Sequence, residues 1–405
     1  MTIELTEVGL DTEPPNEADI PSRGLIVLFA NSDWYLFNFR RSLAVALQQR
    51  GYRVLLISPD GPFGPRLRGL GLRWEALPMQ RRSLRPDKEV ALIGHLVRLL
   101  RRERPLLIHN FTIKSAVYGS VAARLSGVHR RVNAIAGLGY VFTSKNWRAR
   151  TLAPLVRLLM RLSLGGKHSR IVLQNPDDLQ LFEKLGFHSH DLALIPGSGV
   201  DCRRFVPRGP LSDIARSKRI LFVGRVLWDK GIAEFVEAAR LLKNQNLEFI
   251  IAGDTDEGNP SSVPQEELQS WIAEGLVTWL GHVEDMAKVL VDADIFVLPS
   301  YREGLPRSLI EAASCALPLV ATDVPGCQDV ISHEIDGLLV PPRDGKALAI
   351  AIRRLAGDPV LAARLGEAAR VKALAEFDER IVIARTLVVY DRLLTGGRGG
   401  SLLTG

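Results

Sequence analysis

Two short segments of this 405-residue chain gather carboxylates and cations at what read as helix starts. The first runs Arg302-Glu303-Gly304-Leu305-Pro306-Arg307-Ser308-Leu309-Ile310-Glu311, with two carboxylates eight positions apart. It follows an apolar run, DIFVLPS (294–300), and opens a helical pattern, SLIEAASCA (308–316). A loop entering a helix presents unpaired backbone N–H groups and the positive end of the helix dipole, which together seat phosphate oxygens. Eight residues along a helix are a little over two turns, so Glu303 and Glu311 can flank one ligand from the same side. Charged acceptors bind hydroxyl groups strongly, which suits a sugar or a ribose. Gly304 would let the backbone approach such a ligand closely. The same spacing also fits an acid near a helix cap followed by a solvated helix residue. The apolar AASCA after Glu311 counts against solvation there. The second segment is Phe222-Val223-Gly224-Arg225-Val226-Leu227-Trp228-Asp229-Lys230-Gly231. Arg225 and Lys230 lie in a strand-to-helix loop, where two cations can neutralise a departing diphosphate. A pair of ordinary surface cations would carry the same letters.

Holding these loops requires strands that end beneath them, and the chain supplies the strands twice. GLIVLFA (24–30), YRVLLIS (52–58) and PLLIHN (105–110) read as buried strands. They alternate with helices at 38–50, 84–104 and 114–127, the second with an apolar stripe at Val90, Ile93, Val97 and Leu100. The pattern restarts with SKRILFVGR (217–225), LEFIIAG (247–253), DIFVLPS and LPLVATD (317–323), interleaved with helices at 231–245, 287–293, 308–316 and about 344–355. Apolar strands alternating with helices predict parallel sheets covered on both faces, and ligands of such sheets bind at the carboxyl edge of the strands. The expected boundaries are an acidic disordered tail at 1–20, a first α/β domain at 21–205 and a linker at 206–217. A second α/β domain follows at 218–375, then a closing helix at 376–396 that packs back toward the first domain, and a flexible tail at 397–405. The loop after the first strand, NSDWYLFNF (31–39), lacks G-x-G-x-x-G, which disfavours a dinucleotide-dependent oxidoreductase.

Charge divides unevenly. Residues 21–202 hold 28 Lys and Arg against 11 Asp and Glu, a net of +17 within a chain whose total is +7. Such an excess points to an anionic partner: a lipid surface, a lipid diphosphate or nucleic acid. Nucleic acid is disfavoured because no binding motif or run of stacking aromatics accompanies the charge. Cys202, Cys315 and Cys327 have no metal-ligand spacing and read as free thiols of a reducing compartment. The amino-terminal stretch has no apolar core of a signal peptide, and no long uncharged apolar run suggests a membrane span.

Taken together, the two segments resemble those of glycosyltransferase family 4. The E-x7-E element corresponds to Glu303…Glu311, and the Gly-Arg…Lys-Gly element to Gly224, Arg225, Lys230 and Gly231. GVDCRRF (199–205), QNPDD (174–178), ATDVPGCQDVI (321–331) and DGLLVPPRD (336–344) match further. The resemblance covers roughly residues 24 to 395. It implies an α/β chain of the GT-B fold, with two Rossmann-like doubly wound domains facing a central cleft. It also implies a retaining, metal-independent transfer from a nucleotide-sugar, with no cofactor. Glu303 would contact donor hydroxyls, Glu311 the ribose, and the backbone of Gly304, Leu305 and Pro306 the diphosphate. Arg225 and Lys230 would stabilise the leaving phosphate, while Gly281, His282 and Val283 would line the base pocket. NSDWYLFNFR (31–40), HNFTIKSAVYG (109–119) and NAIAGLGYVFT (133–143) resemble the subgroup that extends sugars on undecaprenyl diphosphate, including N-acetylgalactosaminyl transferases. That likeness assigns Asn31, Ser32, His109, Lys114 and Gly137 to the acceptor side. Relatives carry a His where Ala136 stands, so no donor contact transfers to that position; a nearby strand-end residue, His109, fits that role or a structural one. Asp292-Ala293-Asp294 has the letters of a metal motif but precedes a strand, and reads as a helix end and turn.

Residues 144–170, SKNWRARTLAPLVRLLMRLSLGGKHSR, contain seven Lys and Arg and no acid. Leucines at helical spacing beside Arg157 and Arg161 describe either a basic amphipathic helix lying on anionic lipid or a core-facing helix with a solvated basic face. On the first reading Trp147, Arg148, Arg150, Arg157 and Arg161 touch a membrane. The expected protein is then a cytoplasmic enzyme, peripheral on the inner membrane face, acting on a nucleotide-sugar donor and a lipid-linked glycan acceptor with no nucleic-acid partner. A nucleotide-sugar epimerase on the same fold is the alternative.

Overall fold

The computed structural model describes residues 22–79, 85–135, 160–209 and 216–395. The chain forms two compact units, Met1–His109 with Ala122–His129 and Asn110–Val121 with Arg130–Gly405. Thirteen strands are described: β1 (Leu25–Phe29), β2 (Arg53–Pro59), β3 (Arg73–Leu77), β4 (Leu107–Phe111), β5 (Arg130–Ile135), β6 (Ser169–Leu173), β7 (Leu192–Leu194), β8 (Lys218–Val223), β9 (Leu247–Ala252), β10 (Thr278–Trp279), β11 (Ile295–Leu298), β12 (Leu319–Thr322) and β13 (Leu338–Val340). They make a seven-stranded sheet of order β3-β2-β1-β4-β5-β6-β7 and a six-stranded sheet of order β10-β9-β8-β11-β12-β13. β1 pairs with β2, and β2 with β3, in parallel. In the second sheet β8 pairs in parallel with β9 on one side and β11 on the other, with Leu221 opposite Ile250 and Phe296 respectively. Branched and aromatic side chains on both faces explain the buried runs: Ile220, Leu221 and Phe222 are fully covered, as are Phe296 and Val297. This is the doubly wound parallel architecture expected.

From β8 the chain winds outward through β9 to β10, then returns past β8 to lay β11 on its other side. Strand order reverses at the β8–β11 boundary. The loops leaving these two strands therefore emerge side by side at the carboxyl edge, where open α/β sheets take their ligands.

Three local expectations need correction. The stretch 31–39, read as a loop, contains a helix, Asp33–Phe39, because Ser32 caps it by accepting the Tyr35 N–H at 3.2 Å. The helix expected at 38–50 begins only at Arg41 and ends at Gln49, separated from its predecessor at Arg40. In the helix Pro86–Glu103, Val90 is 70% exposed, and the buried stripe is Leu92, Leu96, Leu99 and Leu100 with Val97. Those leucines recur at four- and three-residue steps, so they define the face toward the sheet and leave Val90 off it. The helix Glu379–Thr395 ends near β5, where the Arg130 guanidinium donates to the Leu393 carbonyl at 2.9 Å.

Candidate active site

The site residues of the second sheet come from the loops after β8, β9, β10, β11 and β12. Gly224 follows β8 directly and donates its N–H to the Ala252 carbonyl at 3.0 Å. Beyond it the loop carries Arg225 and a short turn, Trp228–Lys230. Gly231, with φ +72°, caps the helix Ile232–Leu241. A Cβ there would lie 2.0 Å from the Pro299 carbonyl oxygen, so only glycine lets the β8 loop close on the β11 loop. The Lys230 ammonium donates to the Glu303 carboxylate, joining the two loops through their chemistry-bearing side chains. The side chains of Lys230 and Glu303 are 23% and 11% exposed, so the pair is largely withdrawn from water. The Tyr301 N–H adds a backbone bond to the Asp229 carbonyl at 2.9 Å.

The β12 loop closes from the other side. Gly326, with φ +86°, leaves room for the Glu303 carbonyl, which a Cβ would meet at 2.7 Å. The Thr322 hydroxyl donates to the Ser300 carbonyl. Cys327 lies under this junction with no exposure, and burial pushes its thiol well up, with the Glu303 charge adding and the Lys230 charge opposing. Tyr301 fixes the start of the β11 loop. Its hydroxyl bonds both Glu234 carboxylate oxygens at 2.8 and 3.0 Å, and the Arg343 guanidinium stacks on its ring at 4.2 Å. Burial and the Glu234 bond push its phenol up to about 12.

Gly304, Leu305 and Pro306 lead into the helix Arg307–Ser314. Pro306 occupies its N-cap and no side chain caps it, so the first amides are open to an anionic ligand. Glu311 lies one turn in, bonded to the Arg307 Nε at 2.8 Å, and the Arg307 Nη1 reaches the Ser198 hydroxyl at 2.9 Å. Glu303 and Glu311 are therefore both largely enclosed carboxylates, each already bound to a cation. Arg225 is similarly engaged, 2.5 Å from an Asp256 carboxylate oxygen in the loop after β9. His282 is exposed, with Nδ1 3.4 Å from Asp254 Oδ2, and Val283 packs partly buried against the core.

The remaining expected residues fall elsewhere. Ser32 caps the helix Asp33–Phe39, and Asn31 precedes it half-exposed. His109 is 2% exposed within β4, and burial holds its imidazole well below the ordinary value, reinforced by the Arg40 charge. The Lys114 ammonium lies 5.5 Å from the centre of the Tyr118 ring. Arg161 donates to the Gly186 carbonyl at 2.9 Å while remaining solvent-exposed. Gly137, Trp147, Arg148, Arg150 and Arg157 lie outside the described residues. Asp292 ends the helix Met286–Asp292, and Asp294 accepts the Arg219 N–H at 2.8 Å and pairs with Arg208 and Arg216, so this pair forms a helix end and turn as expected. Sequence reasoning missed Asp256, Tyr301, Glu234 and Asn175. Only Asn175 carried a local signal: an Asn before Pro marks a helix cap, and the helix Pro176–Lys184 does begin there.

Comparison with known proteins gives the site its setting. Residues 217–358 match the family model described as "Glycosyl transferases group 1", and residues 25–175 match "Glycosyl transferase 4-like". The chain is 31% identical over 369 residues to the N,N'-diacetylbacillosaminyl-diphospho-undecaprenol alpha-1,3-N-acetylgalactosaminyltransferase of Campylobacter jejuni, covering 89% of this chain and 96% of that one. It is 28% identical over 298 residues to the UDP-Gal:alpha-D-GlcNAc-diphosphoundecaprenol alpha-1,3-galactosyltransferase of Escherichia coli, covering 70% and 75%. In fold it is similar to Anabaena HepE in complex with UDP and glucose, with a TM-score of 0.75, 18% identity and coverage of 90% of this chain and 99% of that one.

Proposed function

The chain belongs to the family 4 glycosyltransferases of the GT-B fold, and from that premise we propose a specific reaction for it. A hexose or N-acetylhexosamine passes from a UDP-sugar to a polyprenyl-diphosphate-linked sugar, with retention of configuration and no metal. The observation that carries this reading is the Lys230–Glu303 pair, which joins loops from adjacent strands where the strand order reverses, three residues before the open N-cap at Pro306. On donor binding Lys230 exchanges its carboxylate partner for the β-phosphate, and the freed Glu303 takes sugar hydroxyls. Arg225 and the amides at the start of the helix Arg307–Ser314 receive the charge that develops as the phosphate leaves. The departing phosphate oxygen takes the acceptor hydroxyl's proton on the face from which it leaves, so the new bond keeps the old configuration. Glu311, oriented by Arg307, receives the ribose hydroxyls, and Gly281, His282 and Val283 border the base.

The lipid-linked acceptor is supported by the two transferases named above, both acting on sugars joined to a diphosphate-bearing undecaprenol. It is supported too by the excess of 17 positive charges in residues 21–202. On this reading the enzyme works at the cytoplasmic face of a membrane, held peripherally. Among the described residues no helix is long and apolar enough to cross one. The epimerase reading has no support from these relatives, which are transferases.

The test is turnover of UDP-sugars with an undecaprenyl-diphosphate-linked acceptor in the presence of a chelator, for the native protein and for Glu303→Ala and Arg225→Ala. Loss of one oriented charge from the leaving-group site costs about 10²–10³-fold in kcat. Undiminished turnover in both variants, or donor conversion without acceptor, sinks the assignment.

A further inference from the structure

The segment Gln174-Asn175-Pro176-Asp177-Asp178 has no part in the chemistry above, yet it grips the loop that carries Glu303. Asn175 is 2% exposed, and both ends of its amide are engaged. Its Oδ1 accepts the Asp178 N–H at 2.8 Å and caps the helix Pro176–Lys184. Its Nδ2 donates to the Gly304 carbonyl at 2.8 Å. Asp178, also 2% exposed, lies 3.8 Å from the Arg302 guanidinium. Residues 302 and 304, on either side of Glu303, are thus held by one helix start.

The Gly304 carbonyl shares a planar trans peptide with the Leu305 N–H, and the two point in opposite directions. Fixing the carbonyl on Asn175 therefore fixes where the Leu305 amide points. We propose that Asn175 is a positioning residue for the donor diphosphate, aiming the Leu305 amide at it through the Gly304 carbonyl. This inference rests on the reading that the site takes a nucleoside diphosphate.

Replacement by Ser separates the two duties of Asn175. Serine caps a helix well but is too short to reach Gly304. Calorimetric affinities for UDP and UMP, and for the GDP/GMP and ADP/AMP pairs, measure the gain from the second phosphate. In the native protein one diphosphate binds more tightly than its monophosphate. In Asn175→Ser that gain shrinks roughly five- to tenfold, the scale of one lost neutral hydrogen bond, while monophosphate affinity holds. Asn175→Asp, which also caps but offers no donor to the carbonyl, serves if the Ser variant does not fold, and is expected to lose at least as much. An unchanged gain in the variant, or a parallel fall for both ligands, overturns the positioning role alone. A native protein that binds no diphosphate more tightly than its monophosphate overturns the nucleoside-diphosphate reading, and this inference with it.

Discussion

Lys230 and Glu303 hold each other before any ligand arrives, which sets the terms on which each works. A lysine already paired in a poorly solvated site can exchange one anion for another without first shedding water. The Lys230→Ala variant should lose about 10²–10³-fold in kcat, because the β-phosphate it pairs with on donor binding gains further negative charge as it leaves. It should also melt earlier, by the equivalent of roughly 1–3 kcal/mol, since Glu303 is left enclosed without its donor. Lys230→Arg is not a rescue, because a planar fork does not replace a compact ammonium. Steady-state kinetics beside a thermal melt check both effects, and full activity in the Ala variant removes Lys230 from the chemistry. At this scale the sequence shows which residues stand at the site but not which partners meet across it. Arg225, Lys230, Glu303 and Glu311 stood out because each borders a strand end or a helix start. Asp256, bonded to Arg225 across 31 positions, did not, and Asn175 showed only its helix cap and its matching stretch, not its bond to Gly304 across 129. No local pattern encodes such pairings; the sheet order alone brings them together.

The loops between elements depend on how closely their backbones approach. Gly231 meets the Pro299 carbonyl where no Cβ fits, and its φ of +72° disfavours other residues. Gly231→Ala should destabilise the protein by roughly 1–3 kcal/mol and lower turnover, because the β8 and β11 loops can no longer close together. Chemical denaturation with an activity assay checks this, and a variant with native stability would mean the loops have slack. The long apolar strands were legible because burial on both faces writes a continuous hydrophobic run. The strand Arg73–Leu77 escaped notice, since its burial alternates and Arg73 and Glu75 break the run. The helix Asp33–Phe39 also escaped, although the capping Ser32 was there to be read.

Across the whole molecule the decisive quantity is charge. The excess in residues 21–202 belongs to a chain whose remaining residues are net acidic, so attraction to an anionic surface favours one presentation of the protein over others. The protein should sediment with phosphatidylglycerol vesicles and much less with phosphatidylcholine vesicles, and release should follow rising salt. Each cation near such a surface contributes about 1 kcal/mol, screened within a Debye length of about 8 Å at physiological ionic strength. Equal recovery with both vesicle types, or no salt dependence, would end the peripheral-membrane proposal.

The three thiols of the described residues, Cys202, Cys315 and Cys327, are all buried, and burial drives each above its ordinary value, Cys315 to about 12. Reagents that attack thiolates therefore meet a native molecule that is silent to them. A cysteine introduced on the exterior would be its lone reactive handle. A fluorophore could then be attached at a chosen point of the surface with the native cysteines left in place, and any labelling beyond that one equivalent would report molecules that had opened.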